Sequence, residues 1–423
     1  MLRGLRGRVL GVVLVALAAF ALTGAGLRLA RTPAAPMVRI SASESPSPTA
    51  GVAPAIASPA GGSLELDDGT GRRLVSNAAD QVRAIGSVAK AMTALVVLEK
   101  YPLPPAESGP SYTVTAADVA DYDATIAANG SNLPVSLGEQ LSERQLLLGL
   151  LLPSANNLAD TLARWTSGDE ASFVIKLNAR ALSLGMAQTH FADASGFSPD
   201  TVSTATDLVR LGRAVLANPG LAELVATAKS PLPPDGAVYY NLDTLLGSTP
   251  GWLGIKTGET PSAGACLLYA ARSTVVGGGS VLLVGAVLGQ PHLGDALASA
   301  RGSVETAGSG YLAVAWTAAP PALAGDLTTA WGAHAGVRLG ALQLGPAAPG
   351  EPSAAGVGSS VLRRGDPLEV VSLPAAVGFP LEAGARVGTV EVRSPGGRVL
   401  VRWPVVVDRP LPGPSLSWRL LHG

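Results

Sequence analysis

The chain has 423 residues, enough for two or three domains, with 47% hydrophobic residues, 14% charged residues and a formal net charge of -1. That balance leaves no basic face for a nucleic-acid partner. One cysteine (Cys266) and four scattered histidines (His190, His292, His334, His422) exclude an internal disulfide and offer no metal cluster, so no metal or cofactor is expected.

Arg3, Arg6 and Arg8 precede an uncharged stretch of 19 residues, Val9 to Leu27. A basic flank before an apolar segment is an export signal, and this length is close to the ~20 residues that cross a bilayer as a helix. Residues 1–31 are therefore read as a signal peptide or an N-terminal membrane anchor. The arginines stay cytoplasmic and the remainder is extracytoplasmic. From Thr32 to Gly61 the text is rich in Pro, Ala and Ser and shows no helix or strand period, which predicts a flexible spacer.

The body runs from residue 62 to 318. Alternation in Ser63–Leu66 and Arg73–Val75 around Asp67-Asp68-Gly69-Thr70-Gly71 predicts a hairpin. Ser87 to Lys100 is apolar on nearly every side, which predicts a helix buried in the middle of the domain, ended by Pro102. Further helices fit Glu143–Leu152, Asn157–Arg164, Glu170–Leu184 and Thr206–Ala217. Three strands fit Gly254–Leu288, with turns at Glu259–Ala263 and Val275–Gly279. Cys266 lies in that apolar text and reads as a packed small side chain. The fold class is α+β, helices packed on an antiparallel sheet. Residues 319–423 read as a small β-rich domain with strands at Leu368–Val371, Arg386–Val392 and Val399–Val407.

Three short motifs carry chemistry. In Ser87-Val88-Ala89-Lys90 the spacing places Lys90 on the same helix face as the Ser87 hydroxyl. A serine becomes a nucleophile when a base takes its proton, and a lysine is that base when burial and nearby positive charge lower its pKa. Of 30 basic residues only five are lysine, and Lys90 and Lys256 are two of these. Arginine cannot release its proton in a protein, so lysine at position 90 suits a base. Ser154-Ala155-Asn156 follows Pro153. Either it caps the next helix, or Ser154 relays a proton to the leaving amine while Asn156 orients Lys90 or the substrate. Lys256-Thr257-Gly258 ends a predicted strand whose edge can pair with an extended peptide. There Lys256 and Thr257 can hold a carboxylate, Gly258 admits a close approach, and the same residues also fit an ordinary turn.

In this order, 67 and 102 residues apart, the motifs resemble those of penicillin-binding proteins and β-lactamases. The chain resembles the low-molecular-weight D-alanyl-D-alanine carboxypeptidases from about Ser63 to Leu288. The resemblance includes Ala91-Met92-Thr93-Ala94, Leu148 to Pro153, Leu184-Gly185-Met186, and Asp193 to Gly196 before Ser203-Thr204-Ala205. It implies a β-lactamase/transpeptidase-like domain, a peptidoglycan stem peptide as substrate, β-lactams as covalent inhibitors, and an acyl-enzyme on Ser87. It further implies Lys90 and Ser154 as catalytic partners, with Asn156, Lys256, Thr257, Gly258 and the backbone of Glu259 as the binding set. Ala155 stands where the family usually has glycine, Asn157 where it has aspartate, and Glu259 places a carboxylate beside the oxyanion position. Two rival functions remain: a β-lactamase of the same superfamily, which requires an acidic deacylating base that no residue evidently supplies, and a weakly active or non-catalytic cell-wall binding protein.

Overall fold

The computed structural model describes Thr23 and residues 37–42, 53–59, 61–315, 323–341, 343–344, 359–366, 368–375, 377–394 and 397–422. The apolar segment 9–27 (Thr23 apart) and most of the expected spacer lie outside the described residues. Among the described residues no helix is long and apolar enough to cross a membrane.

One part of the expected spacer is a strand. β1 (Met37–Ala42) pairs antiparallel with Leu323–Thr328 of the C-terminal region. Its text, Met-Val-Arg-Ile-Ser-Ala, alternates over only a few residues, and its partner lies far along the chain, so local pattern hid it. The predicted hairpin is β2 (Ser63–Asp67) and β3 (Arg73–Asn77), closed by Asp68 Oδ1 accepting the Thr70 N–H and hydroxyl at 3.2 and 2.6 Å. After β4 (Arg83–Ala84) comes a 3₁₀ turn, Gly86–Ala89, that runs directly into α1 (Lys90–Lys100). Every α1 residue from Lys90 to Leu98 is buried, as an apolar helix in the middle of a domain must be.

Next are β5 (Ser111–Thr113), α2 (Ala116–Ala127), β6 (Gln140–Ser142), α3 (Glu143–Leu151), α4 (Asn156–Ser167), α5 (Glu170–Ser183), β7 (Val202–Ser203), α6 (Ala205–Ala217) and α7 (Pro219–Val225). The pattern of α2, Ala-Ala-Asp-Val-Ala-Asp-Tyr-Asp, is too polar to stand out. Its start is nonetheless marked by a capping box in which Asp118 Oδ2 accepts the Thr115 N–H at 2.8 Å. A small hairpin, β8 (Lys229–Leu232) and β9 (Ala237–Tyr240), precedes the long strands β10 (Trp252–Thr260), β11 (Gly264–Thr274) and β12 (Ser280–Gln290). Then come α8 (Leu293–Ser309) and β13 (Tyr311–Ala315).

The central sheet has the order β10-β11-β12-β2-β3, antiparallel throughout, with β10 at one edge. Helices cover both faces. In β11, Cys266, Leu268 and Ala270 pack toward α1, α4 and α6, whereas Leu267, Tyr269 and Ala271 pack toward α8. A strand buried on both faces reads as a continuous apolar run, which is why Ala265–Ala271 shows no polar alternation.

The C-terminal region holds β14 (Leu323–Thr328), β15 (His334–Leu339), β16 (Gln343–Leu344), β17 (Ser359–Arg363), β18 (Glu369–Pro374), β19 (Arg386–Arg393), β20 (Val399–Val407) and the terminal α9 (Leu416–His422). β1 joins its main sheet, whose core contains Val387, Val390, Val401, Trp403 and Val405. Two features tie it to the first body: β13 pairs with β17, and Arg72 forms a two-pronged ion pair with Asp366 at 2.5 and 2.7 Å.

Candidate active site

Ser87 and Lys90 meet through the 3₁₀ turn rather than through a regular α-helix. In a 3₁₀ turn the side chains at i and i+3 eclipse, so Lys90 stands directly over Ser87. The turn leaves Ser87 half-buried and reachable, while Lys90 is fully buried at the first position of α1. The segment Asp193–Gly196 closes over the turn. A Cβ on Gly196 would lie 1.9 Å from the Gly86 carbonyl oxygen, so only glycine permits this approach.

Lys90 Nζ has three neighbours: Ser87 Oγ at 2.8 Å, Asn156 Oδ1 at 2.7 Å and the Ser195 carbonyl at 2.8 Å. Two of these can only accept. A neutral amine has two N–H donors and one lone pair. Donating to Asn156 and Ser195 leaves that lone pair aimed at the Ser87 hydroxyl, the arrangement a general base requires. Burial pushes the Lys90 amine well below its usual value, and the nearby Lys256 cation adds to the effect. Asp193 and Asp160 oppose it.

Ser154 does not cap α4. The N-cap position is Ala155, and no side chain accepts from the first turn. Ser154 instead adopts φ 63°, left-handed and costly for a residue with a Cβ, and its buried Oγ has no hydrogen-bond partner. A strained backbone that carries a buried hydroxyl without a partner, two residues before the Asn156 that bonds Lys90, favours function over capping. Ala155 has φ -59°, so this position has no need of glycine. Asn157 clasps Leu133, accepting its N–H at 3.1 Å and donating to its carbonyl at 3.0 Å. A carboxylate could only accept, and asparagine fills a structural post here.

Lys256, Thr257 and Gly258 lie on β10, the edge strand, and are buried, while Glu259 is exposed. Lys256 Nζ donates to the Thr257 carbonyl at 3.0 Å, and burial holds the amine down to about 7. Thr257 Oγ1 is a second buried hydroxyl without a partner. Gly258 has a different role from the one its position suggests. A Cβ there would lie 2.8 Å from the Ile85 carbonyl and 2.9 Å from the Ser87 and Val88 nitrogens. The close approach is to the protein's own catalytic turn, and Gly258 lets β10 press against it. The Glu259 nitrogen fronts the same turn, 3.5 Å from where a Cβ on Gly86 would stand.

Ser87, Lys90 and Asn156 are joined by hydrogen bonds, Gly258 and the Glu259 nitrogen press against the same turn, and Lys256 lies near enough for its charge to act on Lys90. Sequence reasoning missed the acidic side of this site. Asp193 organises the covering loop, accepting from the hydroxyls of Ser195 at 2.7 Å and Thr201 at 2.5 Å and from the Phe197 N–H at 2.8 Å. Asp160, on α4, is pushed up to about 7, by burial first and by the carboxylates of Glu170 and Asp121 next. Asp160 sits one helical turn after Asn156, and that i, i+4 spacing was the available signal. Among the described residues no group of three or more metal-ligating side chains converges.

The model of the D-alanyl-D-alanine carboxypeptidase family matches residues 49–289. A D-alanyl-D-alanine carboxypeptidase of Streptomyces sp. strain K15 is 34% identical over 235 residues, 51% of this chain and 78% of that protein. One from Mycobacterium tuberculosis is 37% identical over 212 residues, 48% of this chain and 66% of that protein. The crystal structure of the Streptomyces K15 DD-transpeptidase superposes with a TM-score of 0.53 at 29% identity, covering 60% of this chain and 99% of the other.

Proposed function

The chain belongs to the D-alanyl-D-alanine carboxypeptidase family, and from that premise we propose that it removes the terminal D-alanine of peptidoglycan stem peptides through an acyl-enzyme on Ser87. The observation that carries this reading is the bonding of Lys90, whose two fixed acceptors leave its lone pair for the Ser87 proton.

Neutral Lys90 takes the proton as Ser87 Oγ attacks the carbonyl between the two D-alanines. The backbone N–H groups of Ser87 and Glu259 receive the oxyanion, each donor contributing roughly 3 kcal/mol of transition-state stabilisation. Ser154, whose hydroxyl has no other partner, passes the proton to the departing amine. Lys256 and Thr257 hold the terminal carboxylate, which gives the Thr257 hydroxyl the partner it lacks and the Lys256 amine a second one. Water then releases the shortened peptide. The substrate lies along the β10 edge as an added strand.

The family works on the cell wall, so the body is extracytoplasmic and β-lactams acylate the same serine. The arginine-flanked apolar segment at residues 9–27 exports the chain, as a cleaved signal peptide or as a retained membrane anchor. The relatives' names do not favour the β-lactamase alternative. Residues 62–318 form the peptidase unit, and 319–423, joined by β1, the second unit. D-alanine release from a synthetic pentapeptide tests the reading: wild type is expected to release it and Ser87→Ala to release none. Equal release by both would refute the assignment of the nucleophile.

A further inference from the structure

α5 turns an apolar face outward. Its residues Phe173, Leu177 and Ala181 enter the core. Ala171, Ile175, Ala179 and Leu182, three and four residues apart, are exposed on another side, Ile175 and Leu182 at 70% each. A surface helix ordinarily keeps polar side chains there, so this stripe marks a contact surface.

A cavity of about 440 Å³ adjoins the stripe, since Ala179 lines it as well. Its other lining includes Lys100, Lys176, Arg180, Glu99 and Thr166. Lys100 and Lys176 both donate to one oxygen, the Thr166 carbonyl near the end of α4, at 2.8 and 3.5 Å. One cation satisfies a helix end, and a second at the same oxygen is repelled by the first. Neither lysine has a carboxylate partner among the described residues. Glu99, the one acid among the described lining residues, faces Arg180 at 2.7 Å. Thr166 itself is 2% exposed, and its hydroxyl has no partner. Three cations against one carboxylate, with ammonium N–H groups to spare, form a seat for an anion.

The sequence bears the same mark. Of the five lysines, Lys90 and Lys256 serve the catalytic motifs, and Lys100 and Lys176 stand here. A lysine ammonium is a compact charge on a long flexible stem, which suits it to reach a phosphate at a surface. A free phosphate would leave the stripe uncovered. A phospholipid covers both features, because it carries its phosphate directly above an acyl chain. An apolar stripe with cations along its flank is what an interfacial helix presents to an anionic bilayer.

We propose that α5 docks on the surface of an anionic phospholipid bilayer, with a headgroup phosphate held by Lys100, Lys176 and Arg180 and with Ile175 and Leu182 among the upper acyl chains. This contact is separate from the apolar segment at residues 9–27 and does not depend on the peptidase reading. Glu170, at the start of α5, accepts the Ala194 N–H of the covering loop at 3.2 Å, so docking would set how the catalytic site faces the membrane.

The test places an environment-sensitive dye on Leu182→Cys in the full chain. Cys266 is buried and stays unlabelled. The dye emission is expected to shift to the blue with vesicles of mixed phosphatidylglycerol and phosphatidylcholine, to shift less as salt is added, and to stay in place with phosphatidylcholine alone. Both vesicle types can take up residues 9–27, so the difference reads α5. Lys100→Gln combined with Lys176→Gln is expected to raise the anionic lipid needed for half the shift by about 25-fold, on the order of fivefold per lysine. A thermal melt confirms folding of each variant. No shift with anionic vesicles, an equal shift with both vesicle types, or an unchanged half-shift point in the folded double variant each overturns the docking. Calorimetric titration with inorganic phosphate separates a lipid from a free anion. Heat that the double variant loses, with no dye shift on any vesicle, would reveal a phosphate site that no membrane covers and would overturn the proposal as well. Release or retention of D-alanine bears on none of these outcomes.

Discussion

The two flanks of Lys90 carry opposite charge. Toward β10 stands the buried amine of Lys256. Toward the covering loop and α4 stand Asp193 and Asp160. Burial is the largest influence on Lys90, the cationic flank reinforces it and the acidic flank opposes it. Burial therefore makes the amine a base, and the flanks adjust how good a base it is. The cationic side is also the one that suits a terminal carboxylate under the proposed reading.

The largest break in this arrangement is Lys90→Arg. Arginine keeps the positive charge but cannot release its proton. The rate of acylation by a penicillin is expected to fall by about 10³-fold or more, within the range general-base catalysis supplies. Ser154→Ala comes next, with a loss of about 10²-fold in kcat/KM. Its folding stability should stay within about 0.5 kcal/mol of wild type, because the hydroxyl it removes has no partner. A melting curve beside the kinetics separates this outcome from a structural role.

Lys256→Met acts on binding and on pH together. Loss of a charge-assisted contact to the carboxylate is expected to lower kcat/KM by about 10²-fold, mainly through KM. The sign of the pH effect is fixed. Lys90 works when neutral, so activity rises as pH passes its pKa. Removing the neighbouring cation raises that pKa, and the acid limb moves to higher pH. Lys256 works when charged, and its amine is held to about 7, so the wild-type kcat/KM profile should fall on the alkaline side from about pH 7. The variant should lose that limb. The smallest effect is Asp160→Asn: its carboxyl is itself pushed up to about 7 and is largely uncharged through the acid limb, so that limb should move only slightly, and to lower pH, the direction opposite to Lys256→Met. Shifts in the same direction would contradict the picture of opposed flanks.

The cationic flank was legible in the sequence and the acidic one was not. Ser87-Val88-Ala89-Lys90, Ser154-Ala155-Asn156 and Lys256-Thr257-Gly258 are local motifs, each readable within a few residues. Asp121, Asp160, Glu170 and Asp193 stand on four elements, and each by itself resembles a solvated helix or loop position. The central helices and the strands β10 to β12 were readable because burial imposes long apolar runs. α2 was missed because its face is polar, and β1 because its partner is nearly three hundred residues away. Ser154 is a case where local preference pointed the wrong way: serine before a helix suggests a cap, and only the backbone angle and the buried hydroxyl's lack of a partner showed otherwise.

The most direct test of the account is to incubate the protein with a labelled penicillin and locate the label by peptide mass mapping. The account predicts a covalent adduct on Ser87 that forms in wild type and does not form in Ser87→Ala. A folded wild-type protein that takes up no label, or takes it up on another residue, would contradict it.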